Sequence, residues 1–358
     1  MLQLSRRSSR KVMIGAVPVG GGAPVTVQSM CNTDTRDADA TLAQIRRLAD
    51  AGCEIIRVAV PDMAAAEALR KIAAASPLPV VADIHFDYRL ALAAVASGAA
   101  EIRINPGNLS GEDRVRQVAE AAGEAGIPIR VGANAGSVRP ELLKFGLAEA
   151  LTRSALDQCA MLEKYGFHAI KVSLKASDVP ATVAACRCFA ERSDLPLHIG
   201  VTEAGTPARG IVKSAVGIGA LLLAGIGDTI RVSLTADPIE EVRAGIRILE
   251  SCDLRSAAPE IVSCPTCGRT RIDLAGLAEK VESLVDGIKR GGGRIGLRKI
   301  AVMGCVVNGP GEARDADIGL AGGDGKVVVF RHGEPVGSFD EAAGFAFLRE
   351  EILKHTEQ

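Results

Sequence analysis

One pattern dominates residues 24–250. A short apolar run that ends in polar residues is followed by an Ala-rich stretch with helical spacing, and this unit recurs eight times. The helical stretches end in glycine, as helix C-termini commonly do. Eight such units in succession predict an α/β fold, a TIM (β/α)8 barrel, with a doubly wound open sheet as the rival arrangement. The strand-like runs are residues 25–32, 54–61, 80–86, 101–108, 129–136, 169–177, 197–205 and 229–238.

The pattern changes at both ends of this repeat. Residues 12–24, VMIGAVPVGGGAP, alternate around a GGG turn and predict a hairpin that plugs the bottom of the barrel. Residues 253–263 contain Ser, Ala and Pro and are typical of a linker. The remaining residues predict a helix, a strand, a hairpin and a final helix. We therefore expect a barrel domain over residues 1–252 and a small α+β domain over residues 253–358.

Charge and composition argue against two classes of partner. The chain has 42 Lys and Arg against 43 Asp and Glu, and aromatic residues make up 3%, with no Trp, so neither a basic surface nor stacking platforms for nucleic acid are expected. No apolar run approaches the length of a membrane span, and the start, MLQLSRRSSRK, lacks the apolar core of a signal peptide. We expect a cytoplasmic protein with no nucleic-acid or membrane partner.

Basic residues occupy five of the eight predicted strand ends. Barrel enzymes place their chemistry at the C-terminal ends of the strands, and a second polar residue follows several of these cations at an even spacing, on the same strand face. Five cations converging in one cavity favour a phosphate ester or diphosphate as the ligand. The cations are Arg57, Arg103, Arg130, Lys171 and Arg231, and the paired polar residues include Asn134 and Ser233.

The alternative is that these cations pair with carboxylates of the chain itself. Asp83 and Glu203 also stand at strand ends and could neutralise two of the five. Glu203, among cations at the predicted mouth, is the best placed general acid or base. Thr202 lies at the same level, whereas His198 begins its strand and is typical of a buried core histidine.

Three of the nine cysteines have a spacing that suits a metal centre. Cys264 and Cys267 form CPTC, and Cys305 follows in MGCVVNGPGEA. A CxxC turn aims both thiolates the same way, but the second CxxC of a zinc ribbon is missing. The spacing leaves open an iron–sulfur cluster held by three thiolates, a structural zinc site and incidental thiols.

The same stretches carry a resemblance to a known family. SCPTCGR (263–269) and MGCVVNGPGEA (303–313) resemble the cluster motifs of the 4-hydroxy-3-methylbut-2-enyl diphosphate synthases of the non-mevalonate isoprenoid pathway. The resemblance continues through PVTVQSMCNTDT, VADIHFDY, RINPGN, RVGANAGS, VTEAG and KSAVGIGALLLAGIGDTIRVSLT, and it covers almost the whole chain. Its length resembles the two-domain bacterial form.

The resemblance implies a cofactor, a substrate and a set of site residues. The cofactor is a [4Fe–4S] cluster bound by Cys264, Cys267, Cys305 and Glu312, of which Glu312 would otherwise be taken for a solvated loop residue. The substrate is 2-C-methyl-D-erythritol 2,4-cyclodiphosphate, whose diphosphate matches the predicted cationic mouth. The residues that the resemblance places around the substrate are Arg57, Asp83, Arg103, Arg130, Asn134, Lys171, Thr202, Glu203, Arg231 and Ser233.

The resemblance also implies the reaction and its partners. The reaction is a two-electron reduction that opens the ring and eliminates water, with Glu203 as the candidate proton donor and Glu312 as a labile iron ligand. No dinucleotide fingerprint is present, so electrons are expected from flavodoxin or ferredoxin. The implied assembly is a head-to-tail homodimer in which each cluster domain caps the partner's barrel. Two rival functions are a barrel lyase or aldolase that acts on a phosphorylated sugar and has a structural zinc site, and a non-enzymatic iron–sulfur carrier.

Overall fold

The computed structural model of the chain describes residues 5–105, 108–109, 111–255, 259–305, 314–323 and 325–357. The chain divides into two compact units, residues 1–255 and residues 256–358. Among the described residues, no helix combines the length and the apolar character needed to cross a membrane.

Eight parallel strands form the first unit's central sheet, in the order β8-β7-β6-β5-β4-β3-β10-β9. A single bridge between Val172 and Leu197 joins the two outermost strands and nearly closes the sheet. The predicted TIM barrel is therefore confirmed, and the doubly wound sheet is wrong. The strands are β3 (Thr26–Met30), β4 (Ile55–Ala59), β5 (Val80–Asp83), β6 (Glu101–Ile104), β7 (Ile129–Asn134), β8 (Ile170–Lys175), β9 (His198–Ile199) and β10 (Thr229–Ile230).

Eight helices alternate with these strands. Aspartates immediately before five of them accept hydrogen bonds from backbone N–H groups of the first turn, which satisfies donors that a helix start leaves free. The helices are α1 (Ala38–Asp50), α2 (Met63–Ala75), α3 (Tyr88–Ala96), α4 (Glu112–Glu124), α5 (Leu147–Glu163), α6 (Val179–Arg192), α7 (Pro207–Leu223) and α8 (Pro238–Ser251).

Alternation along the strands separates an apolar layer from a polar interior. Ile102 and Ile104 of β6 and Ile129 and Val131 of β7 belong to the main apolar cluster beneath the helices. The residues between them therefore point the other way, into the barrel. This alternation places the strand-end cations on one interior surface.

A hairpin covers the amino end of the barrel. Strands β1 (Val12–Ile14) and β2 (Val17–Val19) pair antiparallel, and their apolar side chains pack with Ile55 and Val81 at the starts of β4 and β5. The predicted hairpin is confirmed, but the predicted turn is wrong. The chain turns at Gly15, whose φ of 56° suits glycine, and the GGG segment follows the second strand.

The second unit is an α+β fold, as predicted. Its main sheet has the order β11-β13-β14-β15-β16, parallel over the first three strands and antiparallel over the last two pairings. The predicted hairpin is in fact three strands, β14 to β16. The elements are β11 (Glu260–Ser263), α9 (Leu274–Arg290), β12 (Arg294–Ile295), β13 (Lys299–Met303), β14 (Ile318–Gly322), β15 (Val327–Arg331), β16 (Glu334–Phe339), α10 (Glu341–Lys354) and β17 (Thr356–Glu357).

Candidate active site

Asp83, at the end of β5, lies between two of the strand-end cations. Its carboxylate is 3.3 Å from Arg103 Nη1 and 3.8 Å from Arg57 Nη1, and His85 Nε2 is 3.6 Å away. Burial by itself would raise the pKa of the Asp83 carboxyl, but Arg57, His85 and Arg103 outweigh it and hold that pKa far below its ordinary value. Asp83 is therefore a permanent anion that neutralises part of the cationic surface.

Glu101 is a second internal carboxylate, and sequence reasoning missed it. Its side chain is 0% exposed and lies 2.7 Å from Lys171 Nζ and 3.8 Å from Arg130 Nε. Burial lowers the pKa of Lys171 to about 8 and that of Arg130 to about 10, although Glu101 acts in the opposite direction. The available signal was the even spacing between Glu101 and Arg103, which puts the carboxylate on the interior face of β6.

Arg231, just after β10, pairs with a third internal carboxylate, the second that sequence reasoning missed. Glu241 of α8 is buried, and its Oε2 lies 3.3 Å from Arg231 Nη2. The sulfur of Met30 is 3.1 Å from Arg57 Nε and 3.7 Å from Arg231 Nη1, so it stands between these two guanidinium groups. The rival interpretation is thus partly correct, because each of the five predicted cations has a carboxylate of the chain within 4.0 Å.

Lys175 is a sixth cation that sequence reasoning did not select. It lies four residues after Lys171 on the same face of β8, nearer the carboxyl end, and its side chain is 8% exposed. No hydrogen bond or ion pair joins it to another described residue. Burial, followed by the charges of Arg130, Arg231 and Arg57, lowers its pKa well below the ordinary value.

Two glycines make room for these long side chains. A Cβ at Gly132 would lie 2.6 Å from Arg103 Nε, and a Cβ at Gly200 would lie 2.4 Å from the backbone oxygen of Arg231 and 2.8 Å from Lys175 Nζ. Real Cβ atoms do not approach other atoms so closely. Both positions therefore require glycine if the two cations are to keep these places.

The remaining predicted site residues lie at or beyond the strand ends. Asn134 is half-buried, and its backbone N–H donates to Ser137 Oγ. Thr202 and Ser233 are also half-buried. Glu203 is exposed, and its backbone has a φ of 53°, in the left-handed region that non-glycine residues seldom occupy.

His198 lies deeper, in the barrel core. It is buried, and its Nδ1 is 2.6 Å from Thr229 Oγ1. Burial and the charges of Lys175 and Arg130 lower its pKa well below the ordinary value, so the imidazole is neutral. These contacts support its interpretation as a core histidine.

The described interior holds more positive than negative charge. It contains six cations and three carboxylates, and the carboxylates pair with five of the cations. The cations are Arg57, Arg103, Arg130, Lys171, Lys175 and Arg231, and the carboxylates are Asp83, Glu101 and Glu241. Arg130 Nε and Nη2 and Gln28 Nε2 are buried without a hydrogen-bond partner among the described residues. Buried donors without acceptors are costly, so this surface suits an anionic ligand rich in acceptor oxygens.

The candidate metal ligands lie around Gly304 in the second unit. Cys264 follows β11 and Cys305 follows β13, and these neighbouring strands are parallel, so both thiols lie at one edge of the sheet. Cys264 Sγ accepts a hydrogen bond from Gly304 N at 3.2 Å. Hydrogen bonds from the backbone and side chain of Arg269 lower the pKa of the exposed Cys267 thiol, which favours the thiolate that metals bind.

These thiols do not form a closed ligand set in the structure. No group of three or more His, Cys, Asp and Glu side chains among the described residues is placed to hold a metal ion. Glu312, the fourth predicted ligand, lies outside the described residues. The donor chemistry nevertheless suits an iron–sulfur cluster, because the thiols share one sheet edge, Cys264 and Cys305 are half-buried, and one of the three thiols has a lowered pKa.

Comparison with known proteins matches both units to one family. Residues 9–246 match the model of the GcpE TIM-barrel domain, and residues 260–354 match that of the GcpE protein C-terminal domain. The chain belongs to the GcpE family. The resemblance inferred from the motifs is therefore confirmed over both domains.

Curated GcpE relatives are similar along almost their whole length. A 4-hydroxy-3-methylbut-2-en-1-yl diphosphate synthase (flavodoxin) from Geobacter sulfurreducens is 57% identical, over 94% of this chain and 95% of its own. A protein of the same description from Clostridium tetani is 50% identical, over 98% of this chain and 99% of its own. Both relatives are thus aligned through the barrel and the C-terminal unit.

A solved structure supports the barrel fold alone. The dihydropteroate synthase of Yersinia pestis superposes with a TM-score of 0.51 at 13% identity, covering 69% of this chain and 98% of that one. At this identity the likeness carries no information about the reaction.

Proposed function

We propose that the chain catalyses the two-electron reductive ring opening and dehydration of 2-C-methyl-D-erythritol 2,4-cyclodiphosphate to 4-hydroxy-3-methylbut-2-enyl diphosphate, with reduced flavodoxin as the electron donor. The observation that carries this proposal is the excess of buried cations over carboxylates in the barrel of a GcpE family member. A cyclic diphosphate supplies both the negative charge and the acceptor oxygens that this surface lacks. The lyase with structural zinc is not favoured, because the curated relatives are diphosphate synthases.

Arg57, Arg130 and Arg231 bind the diphosphate, with Arg103 held beside them by Asp83. Arg130 is the strongest member of this set, because two of its buried nitrogens have no acceptor among the described residues. Guanidinium groups grip phosphate oxygens bidentately and stabilise the negative charge that develops as the C–O bond breaks.

Lys175 contacts the substrate directly, whereas Lys171 acts through Glu101. Lys171 is 0% exposed, and the Glu101 carboxylate at 2.7 Å already balances its charge. Lys175 has no such partner and lies nearer the mouth on the same strand face. Asn134, Thr202 and Ser233 add neutral hydrogen bonds at the rim.

Glu203 donates the proton to the departing hydroxyl. It is exposed just beyond β9, where its side chain meets a ligand that enters the mouth. The left-handed backbone at this residue costs about 1–2 kcal/mol, and such strain is concentrated at functional sites. A general acid here would speed the loss of water by about 100-fold or more.

Cys264, Cys267, Cys305 and Glu312 hold a [4Fe–4S] cluster. When bound, this group supplies electrons one at a time and an iron site that polarises a substrate oxygen. The protein's part is to favour the thiolate form: the hydrogen bonds of Arg269 lower the pKa of the Cys267 thiol. The loop that contains Cys267 is fixed by Thr270, whose Oγ1 accepts from Cys267 N at 3.1 Å.

The cluster domain of one chain covers the barrel mouth of its partner in a homodimer. At the end of the first unit, Arg255 Nη2 lies 2.6 Å from Glu54 Oε2 and donates to Val25 O, beside the amino ends of β3 and β4. The last residue of the first unit is therefore anchored at the end of the barrel opposite the mouth, and this position supports capping in trans.

The mouth also has the apolar rim that a covering domain needs. Four large apolar side chains follow the carboxyl ends of β4, β5 and β7 and remain exposed, and Phe86 is the most exposed, at 71%. Exposed apolar side chains at this end of the barrel would give a covering domain apolar surface to contact. The four residues are Met63, Phe86, Leu143 and Phe145.

Two measurements test the reaction. Anaerobically purified protein should contain about four irons per chain, the content of one cubane cluster, and should reduce the cyclic diphosphate with reduced flavodoxin. Replacing Arg231 by Met should leave the iron content unchanged and weaken substrate binding by about 2–5 kcal/mol, the scale for removing one partner of a buried charge pair. A colourless, zinc-loaded protein that retains full activity would restore the lyase.

Mixing two inactive variants tests the arrangement in trans. Cys305→Ala removes a cluster ligand, and Arg130→Met damages the barrel. If chains reassort at random, half of the dimers are mixed and each has one intact site, so activity should return to roughly a quarter of the wild-type value. No recovery despite measured subunit exchange would show that each barrel uses its own cluster domain.

A further inference from the structure

Lys175 is a buried amine with no counter-ion among the described residues. Each of the other five interior cations has a carboxylate within 4.0 Å, whereas Lys175 has neither an ion pair nor a hydrogen bond with a described residue. Its Nζ occupies the space that a side chain at position 200 would fill. A buried amine without an acceptor is unusual, because a buried ammonium is costly unless it is paired.

The groups that face Lys175 are positive or neutral. Arg57 of β4, Arg130 of β7 and Arg231 after β10 each lower the pKa of its amine, in addition to the larger effect of burial. His198 of β9 is neutral, and burial raises the pKa of the Cys186 thiol of α6 to about 12, so that thiol is neutral too. The Glu101 carboxylate is paired with Lys171, on the same strand as Lys175.

We propose that Lys175 is a neutral amine in the empty barrel and takes up a proton from solvent when the diphosphate binds, so that substrate binding and proton uptake are a single coupled event. This inference rests on the proposed function, because it needs an anion in the mouth. The anion adds the negative charge that the surroundings of Lys175 lack and thereby favours the ammonium form. No covalent bond is formed or broken: one solvent proton is transferred to Nζ for each ligand bound.

Coupling proton uptake to binding also adjusts the net charge of the barrel interior to that of the ligand. With Lys175 neutral, the described interior has five cations against three carboxylates, and the sixth positive charge appears only when the anion arrives. The empty site thus avoids part of the repulsion among its own cations. The occupied site gains an ammonium that donates up to three hydrogen bonds.

Calorimetry of substrate binding measures this proton directly. The cyclic diphosphate is titrated into anaerobic holoenzyme without reductant, in Tris and in HEPES, whose ionisation enthalpies differ. Each phosphorus of this ligand has one strongly acidic oxygen, so the ligand itself exchanges no proton near neutral pH. As the pH rises we expect uptake that increases toward one proton per ligand, with affinity falling by up to about tenfold per pH unit as uptake becomes complete.

Substitutions then assign the proton to its residue. Lys175→Arg keeps a permanent charge and should bind the ligand without proton uptake, and Lys175→Met should bind more weakly, also without uptake. The matched control is Glu101→Leu combined with Lys171→Leu, which removes the neighbouring lysine together with its counter-ion and should retain uptake. If Lys175→Arg does not fold, Lys175→Met decides the assignment.

The outcomes separate this inference from the proposed function. Wild-type protein that binds the cyclic diphosphate without proton uptake, or Lys175 variants that retain the full uptake, would overturn the inference and leave the function intact. Wild-type protein that does not bind the cyclic diphosphate would instead overturn the proposed function.

Discussion

The two units prepare their functional groups in opposite ways. In the barrel the ionisable side chains are buried, and ion pairs with Asp83, Glu101 and Glu241 hold most of them. In the C-terminal unit the candidate ligands stand on turns at a sheet edge, where Cys267 is exposed and Cys264 and Cys305 are half-buried. The barrel site is organised by the protein itself, whereas the thiol site depends on the group it binds.

This difference follows from the chemistry of each ligand set. A diphosphate is recognised by many weak contacts whose directions must be set before binding, since reorganising buried charges is costly. Thiolates form strong bonds to iron, so the metal itself can complete the ligand arrangement when it binds. The two sites should therefore respond differently to single substitutions.

The largest expected effect is on the thiol site. Cys305→Ser should remove most of the bound iron and lower turnover by more than about 1,000-fold, because a cluster ligand is lost. The barrel organises itself, so affinity for the cyclic diphosphate should stay within about tenfold of wild type. Iron analysis, turnover and calorimetry measure these three quantities.

Cys188→Ser is the matched control for that experiment. Cys188 is a half-buried free thiol of the barrel unit that is assigned no ligand role, and its replacement should leave iron content and turnover near wild type. Equal loss of iron in both variants would contradict the assignment of Cys305 as a cluster ligand.

The next effect concerns the stability of the barrel. Glu101→Gln leaves Lys171 and Arg130 buried without their counter-charge and should lower the free energy of unfolding by about 3–5 kcal/mol. Glu101→Leu with Lys171→Leu removes the closer ion pair as a whole and leaves only Arg130 without its carboxylate, so it should cost less than the single change. Denaturant unfolding at neutral pH measures both values. Equal losses in the single and double variants would contradict the account of mutual ion pairing.

The smallest expected effect is on substrate affinity and comes from displacing one side chain. Gly132→Ala places a Cβ where Arg103 Nε now lies, so the guanidinium must move away from Asp83. We expect substrate affinity to fall by about tenfold, the scale of one weakened charged hydrogen bond. Gly136→Ala, where a Cβ meets nothing within 4 Å, should change affinity less than twofold. Calorimetry on both variants tests whether substrate affinity depends on the position in which the barrel holds the Arg103 guanidinium.

The sequence alone determined the barrel, the α+β unit and the family. The alternation of apolar runs with Ala-rich amphipathic stretches is local, and eight repeats leave few ways to bury the apolar faces. Motif spacing likewise identified the thiols, and strand period placed Arg57, Arg103, Arg130, Lys171 and Arg231 on one interior surface.

Tertiary structure alone decided which charges are balanced and which are not. Glu241 reaches Arg231 from a helix, and Glu101 of β6 reaches Arg130 on the neighbouring β7 and Lys171 one strand further, on β8; no local spacing reveals these pairings. Lys171 and Lys175 are equivalent in the period of their strand, yet one has a carboxylate at 2.7 Å and the other has none within ion-pairing distance among the described residues. Burial and partner distance set the charge of each lysine, and both quantities exist only once the chain is folded.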